Sequence, residues 1–263
     1  MQYVVLSASS LPHTDVGLVH RWLDEVAGIL HRDPSPKNIM YRRIGGKVYG
    51  VLNDFDLSSW TATLKTDYTR TSQQRTGTPP YMAAGLLAGT DSLHLYRHDV
   101  ESLFYIMLVL ATHYEIYIPE EEGLQGGLRM RQGLETLPFE AWFDQPHYAT
   151  LGSLKYTFLS KLPHLDLSPT FEDFRDWLED LHLCFQRGIA SKDTHKGLVA
   201  WQQRRGGLSA ATSQFDEETL GGYICYSTLI DPARNLKGKL EGLIVRYESE
   251  SDIAFTGAAR SDT

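Results

Sequence analysis

Asp33 and Asn38 close a D-x-x-x-x-N run inside His31-Arg32-Asp33-Pro34-Ser35-Pro36-Lys37-Asn38, and Asp54 follows in Asp54-Phe55-Asp56. One carboxylate can orient an attacking hydroxyl, while an amide oxygen and a second carboxylate hold Mg²⁺ on nucleotide phosphates. Those are the requirements of phosphoryl transfer. The chemistry needs the two metal ligands at the ends of adjacent strands, so that both converge on one ion. Ile39-Met40-Tyr41 and Val48 to Leu52 read as two such strands, joined across Gly45-Gly46.

Other elements must carry this hairpin. Val16, Val19, Trp22, Leu23 and Val26 recur at helical spacing, and Gly28 ends the helix. Tyr3 to Leu6 is a short β-type run. Asp56 to Thr78 is polar and non-periodic, a long loop of the functional kind. Asp99 to Tyr114 is apolar on every face, as a buried helix is. Glu120 to Gly133 reads as a loop. Leu151 to Leu162 and Thr170 to Phe185 are helical by period, the latter introduced by Ser168-Pro169 with Glu172 and Asp173 in its first turn. Arg204 to Ser213 reads as a linker, Phe215 to Tyr247 as a satellite of strands and turns, and the last dozen residues as disordered.

The 263 residues are 42% hydrophobic and 11% aromatic, enough for a substantial core. A formal charge of −8 argues against nucleic acid as the main partner. Cys184 and Cys225 give neither a disulfide framework nor zinc spacing. The longest apolar run, Leu103 to Thr112, is too short to span a membrane, and Met1 to Leu6 lacks the features of a signal peptide. The expectation is an intracellular protein, cytoplasmic or nuclear, that is not secreted.

Two more segments fall in register. Gly77-Thr78-Pro79-Pro80-Tyr81-Met82-Ala83 resembles the G-T-x-x-Y-M-A-P-E segment that closes the activation loop of Ser/Thr kinases. Tyr96-Arg97-His98-Asp99-Val100-Glu101-Ser102-Leu103-Phe104 resembles the start of the buried kinase helix whose Asp holds the catalytic-loop backbone. With Gly28 to Asp33 before Ser35, Asp54-Phe55-Asp56-Leu57, and Asp99 to Tyr105, the chain resembles the fungal-type protein kinase family. Phe215 to Gly222 also resembles a family segment, so the likeness runs from about Tyr3 to Tyr223. It is specific over residues 28–105.

The resemblance implies an α+β, mainly α fold: a protein kinase-like C-terminal lobe over residues 1–200, with a short β-hairpin beside the catalytic loop and a partly ordered extension over 201–263. It implies Mg²⁺ and ATP as cofactors and a protein Ser/Thr as acceptor. Asp33 would orient the substrate hydroxyl and accept its proton, and Asn38 and Asp54 would ligate Mg²⁺. Thr78 would contact Asp33. Arg32 would pair with a phosphorylated hydroxyl among Thr69, Thr71, Ser72 and Thr76. His31 would be a packing residue, and Asp99 would reach the backbone near His31 and Arg32.

The departures from the family pattern define the competing readings. Ser35 stands where most Ser/Thr kinases place a Lys facing the transferred phosphate, and Lys37 is the candidate substitute. Asp56 replaces a Gly, and Ala84-Gly85 replace the Pro-Glu that usually braces the loop. No lysine precedes Lys37, and no Gly-rich loop is present. The expectation is therefore a lobe lacking most of its N-terminal partner lobe, inactive alone, with an apolar surface near Tyr3 to Leu6 that a protein partner would cover. The alternatives are a catalytically silent, pseudokinase-like binding module or truncated gene product, and an aminoglycoside-type small-molecule phosphotransferase with a D-x-D metal motif.

Overall fold

In a computed structural model, the structure describes residues 12–44, 47–61, 77–117, 127–161, 164–205 and 214–228. The expected Tyr3 to Leu6 strand, the phosphorylation candidates Thr69, Thr71, Ser72 and Thr76, and the expected disordered end lie outside those residues. Helix α1, Pro12–Trp22, passes into one π-helical turn, Leu23–Ala27, and stops at Gly28, whose φ of 67° closes the turn. Val16 and Leu23 face the core. Trp22 and Val26, expected on the buried stripe, stand 57% and 69% exposed.

Strand β1 (Ile29–Leu30) pairs with β4 (Ser59–Trp60), which occupies the start of the expected long loop. Between them, β2 (Ile39–Ile44) and β3 (Lys47–Leu52) form the expected hairpin, antiparallel from Ile39↔Leu52 to Ile44↔Lys47. Helix α1 lies against β3. A short helix α2, Ala84–Ala88, precedes α3, Tyr96–His113, the hub of the fold. All of α3 but Leu110 is buried, which explains a sequence without a polar face. Strand β5 (Tyr114–Tyr117) pairs with β6 (Gly127–Met130), which falls within the expected loop.

Helices α4 (Ala141–Asp144) and α5 (Tyr148–Ser160) follow, and α5 packs on α2. The last helix opens as a 3₁₀ turn, Pro169–Phe174, and continues as α6, Arg175–Arg204. It runs well beyond Phe185 and through the boundary placed at residue 200. The backbone there is continuous helix. Residues 214–228 are turns with a final helical turn and contain no strand. Leu220, Ile224 and Tyr226 from this segment are buried in the same core as α3, so it is part of the body rather than a satellite. The described architecture is mainly α with three two-stranded ladders.

Several buried histidines tie this core to pH. Burial, reinforced by Arg97, lowers the imidazole of His98 from 6.5 to about 3, and burial also lowers His113 and His182. A folded-state value below the unfolded one means that the unfolded chain takes up a proton first as pH falls through 6.5. Stability is therefore expected to fall between pH 7 and pH 5, by about 2 kcal/mol from His98 alone. Urea unfolding across that range checks this, and a midpoint that holds constant or rises would contradict it.

Candidate active site

The loop between β1 and β2 is shaped by its anchors. Arg32 has a φ of 71°, in the left-handed region that non-glycine residues rarely occupy. The turn lets two successive N–H groups, of His31 and Arg32, donate to one oxygen of Asp99, each at 3.1 Å. Asp99, on the first turn of α3, is fully buried. Its Oδ2 also takes His20 Nε2 at 2.8 Å, and Oδ1 takes His94 Nε2 at 2.7 Å. Burial by itself pushes this carboxyl up, and His94 and His20 together more than offset it, holding it well below the usual range.

His31 is buried and ties the loop to the end of β3. Its Nε2 donates to the Asn53 carbonyl at 2.9 Å, and its Nδ1 accepts from the Asp33 N–H at 3.3 Å. Its ring meets Phe55 edge-on, with centroids 4.9 Å apart. Both nitrogens are thereby occupied within the scaffold.

Asp33 sits at the centre of the cluster. Its Oδ1 accepts from the Thr78 N–H at 2.7 Å and the Thr78 hydroxyl at 2.8 Å. Its Oδ2 accepts from Asn38 Nδ2 at 3.2 Å, and the same amide donates to the Asp33 carbonyl at 2.9 Å. Donation through Nδ2 leaves Asn38 Oδ1 as the acceptor face of that side chain. Asn53 N–H donates to the Asn38 carbonyl at 2.8 Å, extending the β2–β3 ladder by one pair. Asp54 therefore leaves β3 directly beside the start of β2, as the hairpin predicts. It too is left-handed, with a φ of 63°, and it is exposed. The two strained non-glycine residues nearest the site are thus Arg32, next to Asp33, and Asp54 itself.

The oxygens present suit Mg²⁺. The ion prefers one or two protein carboxylate or amide ligands and completes its shell with water and substrate phosphate. Asn38 Oδ1 and the Asp54 carboxylate, on the adjoining ends of β2 and β3, would be the candidates for such a pair. Among the described residues no group of three or more His, Cys, Asp or Glu side chains forms a self-sufficient metal cage. The other sequence candidates divide. Arg32 Nη1 donates to Ser59 Oγ at 2.8 Å, while its Nε is buried with no partner among the described residues. Burial lowers its guanidinium, with Asp99 opposing. Ser35 is turned inward, and Lys37 stands exposed on the turn before Asn38.

The loop after Thr78 has braces that the sequence did not disclose. Lys155, from α5, is fully buried and donates to the Met82 carbonyl at 2.6 Å, with its ammonium 4.1 Å above the Tyr105 ring. Glu101, from α3, accepts from the Ala84 N–H and the Tyr105 hydroxyl, both at 2.7 Å. Burial pushes Lys155 down and Glu101 up, each toward its neutral form. At Gly85 a Cβ would fall 2.0 Å from the Asp91 carboxylate. Asp91 in turn binds Arg97 at 2.8 Å, His98 at 3.0 Å and Lys192 at 2.7 Å. The loop that lacks a Pro-Glu end is held instead from α3 and α5. The sequence signal for these braces was weak: a lone Lys in an apolar helical stretch, and an acidic residue inside a buried helix. Replacing Lys155 by Met should strand the Met82 carbonyl and cost about 3 kcal/mol. A urea midpoint within error of the parent would contradict this.

Residues 14–111 match the family described as fungal protein kinase. The chain is also similar to the serine/threonine-protein kinase CHK1 of Saccharomyces cerevisiae, at 33% identity over 91 residues. That match covers 35% of this chain and 16% of the yeast protein.

Proposed function

We propose, from the match of residues 14–111 to the fungal protein kinase family, that this chain carries the acceptor and metal side of a Mg-ATP-dependent phosphoryl transfer to protein Ser or Thr. The observation that carries the proposal is the clamp on Asp33. Thr78 binds one of its oxygens and Asn38 the other, while Asp54 leaves the neighbouring strand beside Asn38.

Each residue then has a task. Asp33 Oδ2 accepts only the longer Asn38 bond, which makes it the oxygen that accepts an incoming hydroxyl's hydrogen bond and later its proton. Thr78 fixes the carboxylate plane. Asn38 Oδ1 and Asp54 would hold Mg²⁺, which when bound offsets charge on the transferring phosphoryl group. Arg32, with its orphaned Nε, would receive a phosphate on the loop at Thr69, Thr71, Ser72 or Thr76. Lys37 would approach the phosphate from the solvent side.

The groups that grip the α- and β-phosphates are not among these 263 residues, which hold no lysine before Lys37 and no Gly-rich loop. Transfer by these residues alone is expected to be negligible. Exposed Trp22, Val26 and Trp60 offer apolar surface for a protein partner. No described helix is long and apolar enough to cross a membrane.

One observation favours the second reading, a silent binding module: the inward-turned Ser35 supplies no cation at the phosphate. The deciding experiment joins the chain to a nucleotide-binding N-terminal kinase lobe and offers ATP with a Ser/Thr protein or an aminoglycoside. Transfer to the protein alone is expected. No transfer favours the silent module, and aminoglycoside transfer the small-molecule enzyme.

A further inference from the structure

The segment over 214–228 lies outside the family match, yet it reaches the anchor of the Asp33 loop. It is clamped at several points. Arg97 Nε donates to the Glu217 carbonyl at 2.6 Å, Lys192 pairs with the Glu217 carboxylate at 2.7 Å, and Tyr96 donates its hydroxyl to the Ile224 carbonyl at 2.6 Å. These contacts set Tyr226 flat against Tyr96, with ring centroids 5.0 Å apart and planes 20° from parallel. Tyr226 is buried, and its hydroxyl oxygen lies 3.0 Å from His20 Nδ1.

The hydrogen-bond chain continues without a break. His20 Nε2 lies 2.8 Å from Asp99 Oδ2, the same oxygen that takes the N–H groups of His31 and Arg32. A carboxylate only accepts, so His20 must carry its proton on Nε2 to donate there. In the neutral imidazole Nδ1 is then the acceptor and takes the Tyr226 O–H, whose oxygen also lies 3.4 Å from the His20 carbonyl. The hydroxyl thus selects the imidazole tautomer and orientation that Asp99 requires, and Asp99 in turn fixes the left-handed Arg32 beside Asp33.

We propose that Tyr226 is a positioning residue for the Asp33 loop, acting through His20 and Asp99 on the backbone of His31 and Arg32. Its catalytic consequence rests on the phosphoryl-transfer reading above, but the positioning itself does not.

The test compares Tyr226→Phe with Tyr96→Phe in the 263-residue chain. Both variants delete one hydroxyl from the same stacked pair, and only Tyr226 touches His20. Amide hydrogen exchange at His31 and Arg32 is measured against amides in the middle of α3, together with the ¹⁵N shifts of the His20 ring. Tyr226→Phe is expected to accelerate exchange at residues 31 and 32 about tenfold relative to α3 and to move the His20 Nδ1 shift. Tyr96→Phe should do neither. Unchanged exchange in Tyr226→Phe, equal acceleration in both variants, or acceleration shared by α3 would each overturn the proposal. In the lobe-completed enzyme the same variant should lower kcat severalfold with KM for ATP unchanged. Absence of transfer by the unaltered enzyme would count against the kinase reading and leave the exchange result standing.

Discussion

In a form of the protein that transfers phosphate, Asp33→Asn is expected to lower kcat by about 10²–10⁴-fold and leave KM for ATP nearly unchanged. The substitution is close to isosteric. Asn retains one carbonyl oxygen, which can still accept from the Thr78 N–H and hydroxyl that now bind Asp33 Oδ1. It places an NH₂ where Asn38 donates to Asp33 Oδ2, so one weak bond of 3.2 Å is lost and the loop stays anchored through Asp99. What disappears is the acceptor for the substrate proton and the negative charge that orients the hydroxyl. The proposed metal ligands, Asn38 Oδ1 and Asp54, are unchanged, so nucleotide binding should be too. Initial-rate kinetics against ATP and protein substrate separate the two parameters. A large rise in KM for ATP with kcat preserved would mean that Asp33 serves nucleotide binding instead.

Asp99→Ala is expected to cost about 3–5 kcal/mol of folding stability, a large share of the 5–15 kcal/mol typical of a domain. Four donors converge on this carboxylate: two imidazoles and two backbone N–H groups. Truncation would leave all four without this partner, the His20 ring in a fully buried site. Arg32 would also lose the bond that keeps it left-handed, so the peptide before Asp33 is expected to relax. Urea unfolding measures the first effect, and amide exchange at residues 31 and 32 the second. A loss below about 1 kcal/mol would mean that the histidines and backbone find other partners, and that Asp99 does not organise the loop.

The parts of this protein that were legible in the sequence are those with a local grammar. The β2–β3 hairpin announced itself through Gly45-Gly46 between two apolar runs. Helix α3 did so through the absence of any polar stripe, and its Asp99 stood out because a carboxylate in such a helix needs buried donors. The contact between Thr78 and Asp33 was legible only through the resemblance to kinases, and the Asn38–Asp33 bond was not read at all. The rest depends on long-range packing that no local pattern encodes. His20 lies 79 positions from Asp99, and no local pattern ties the two together. Lys155 and Glu101 brace a loop from two helices far apart in sequence. Strands β4 and β6 are two and four residues long, too short for alternation to register. Tyr226 lay in a stretch whose periodicity had faded, and its place is set by stacking on Tyr96 rather than by any regular element.

The central proposal is that this chain supplies the acceptor and metal side of phosphoryl transfer through Asp33, with no lysine before Lys37 and no Gly-rich loop to grip the nucleotide. One assay measures it directly: phosphate transfer from Mg-ATP to a generic Ser/Thr substrate by the chain alone, by the chain joined to an N-terminal kinase lobe, and by that joined protein with Asp33→Asn. The account predicts transfer only in the second arm, because a donor left mobile by the missing grip loses about a hundredfold per ångström of misplacement. Transfer by the chain alone that disappears with Asp33→Asn would show that these residues suffice by themselves. Transfer by the joined protein that survives Asp33→Asn would contradict the assignment of the site.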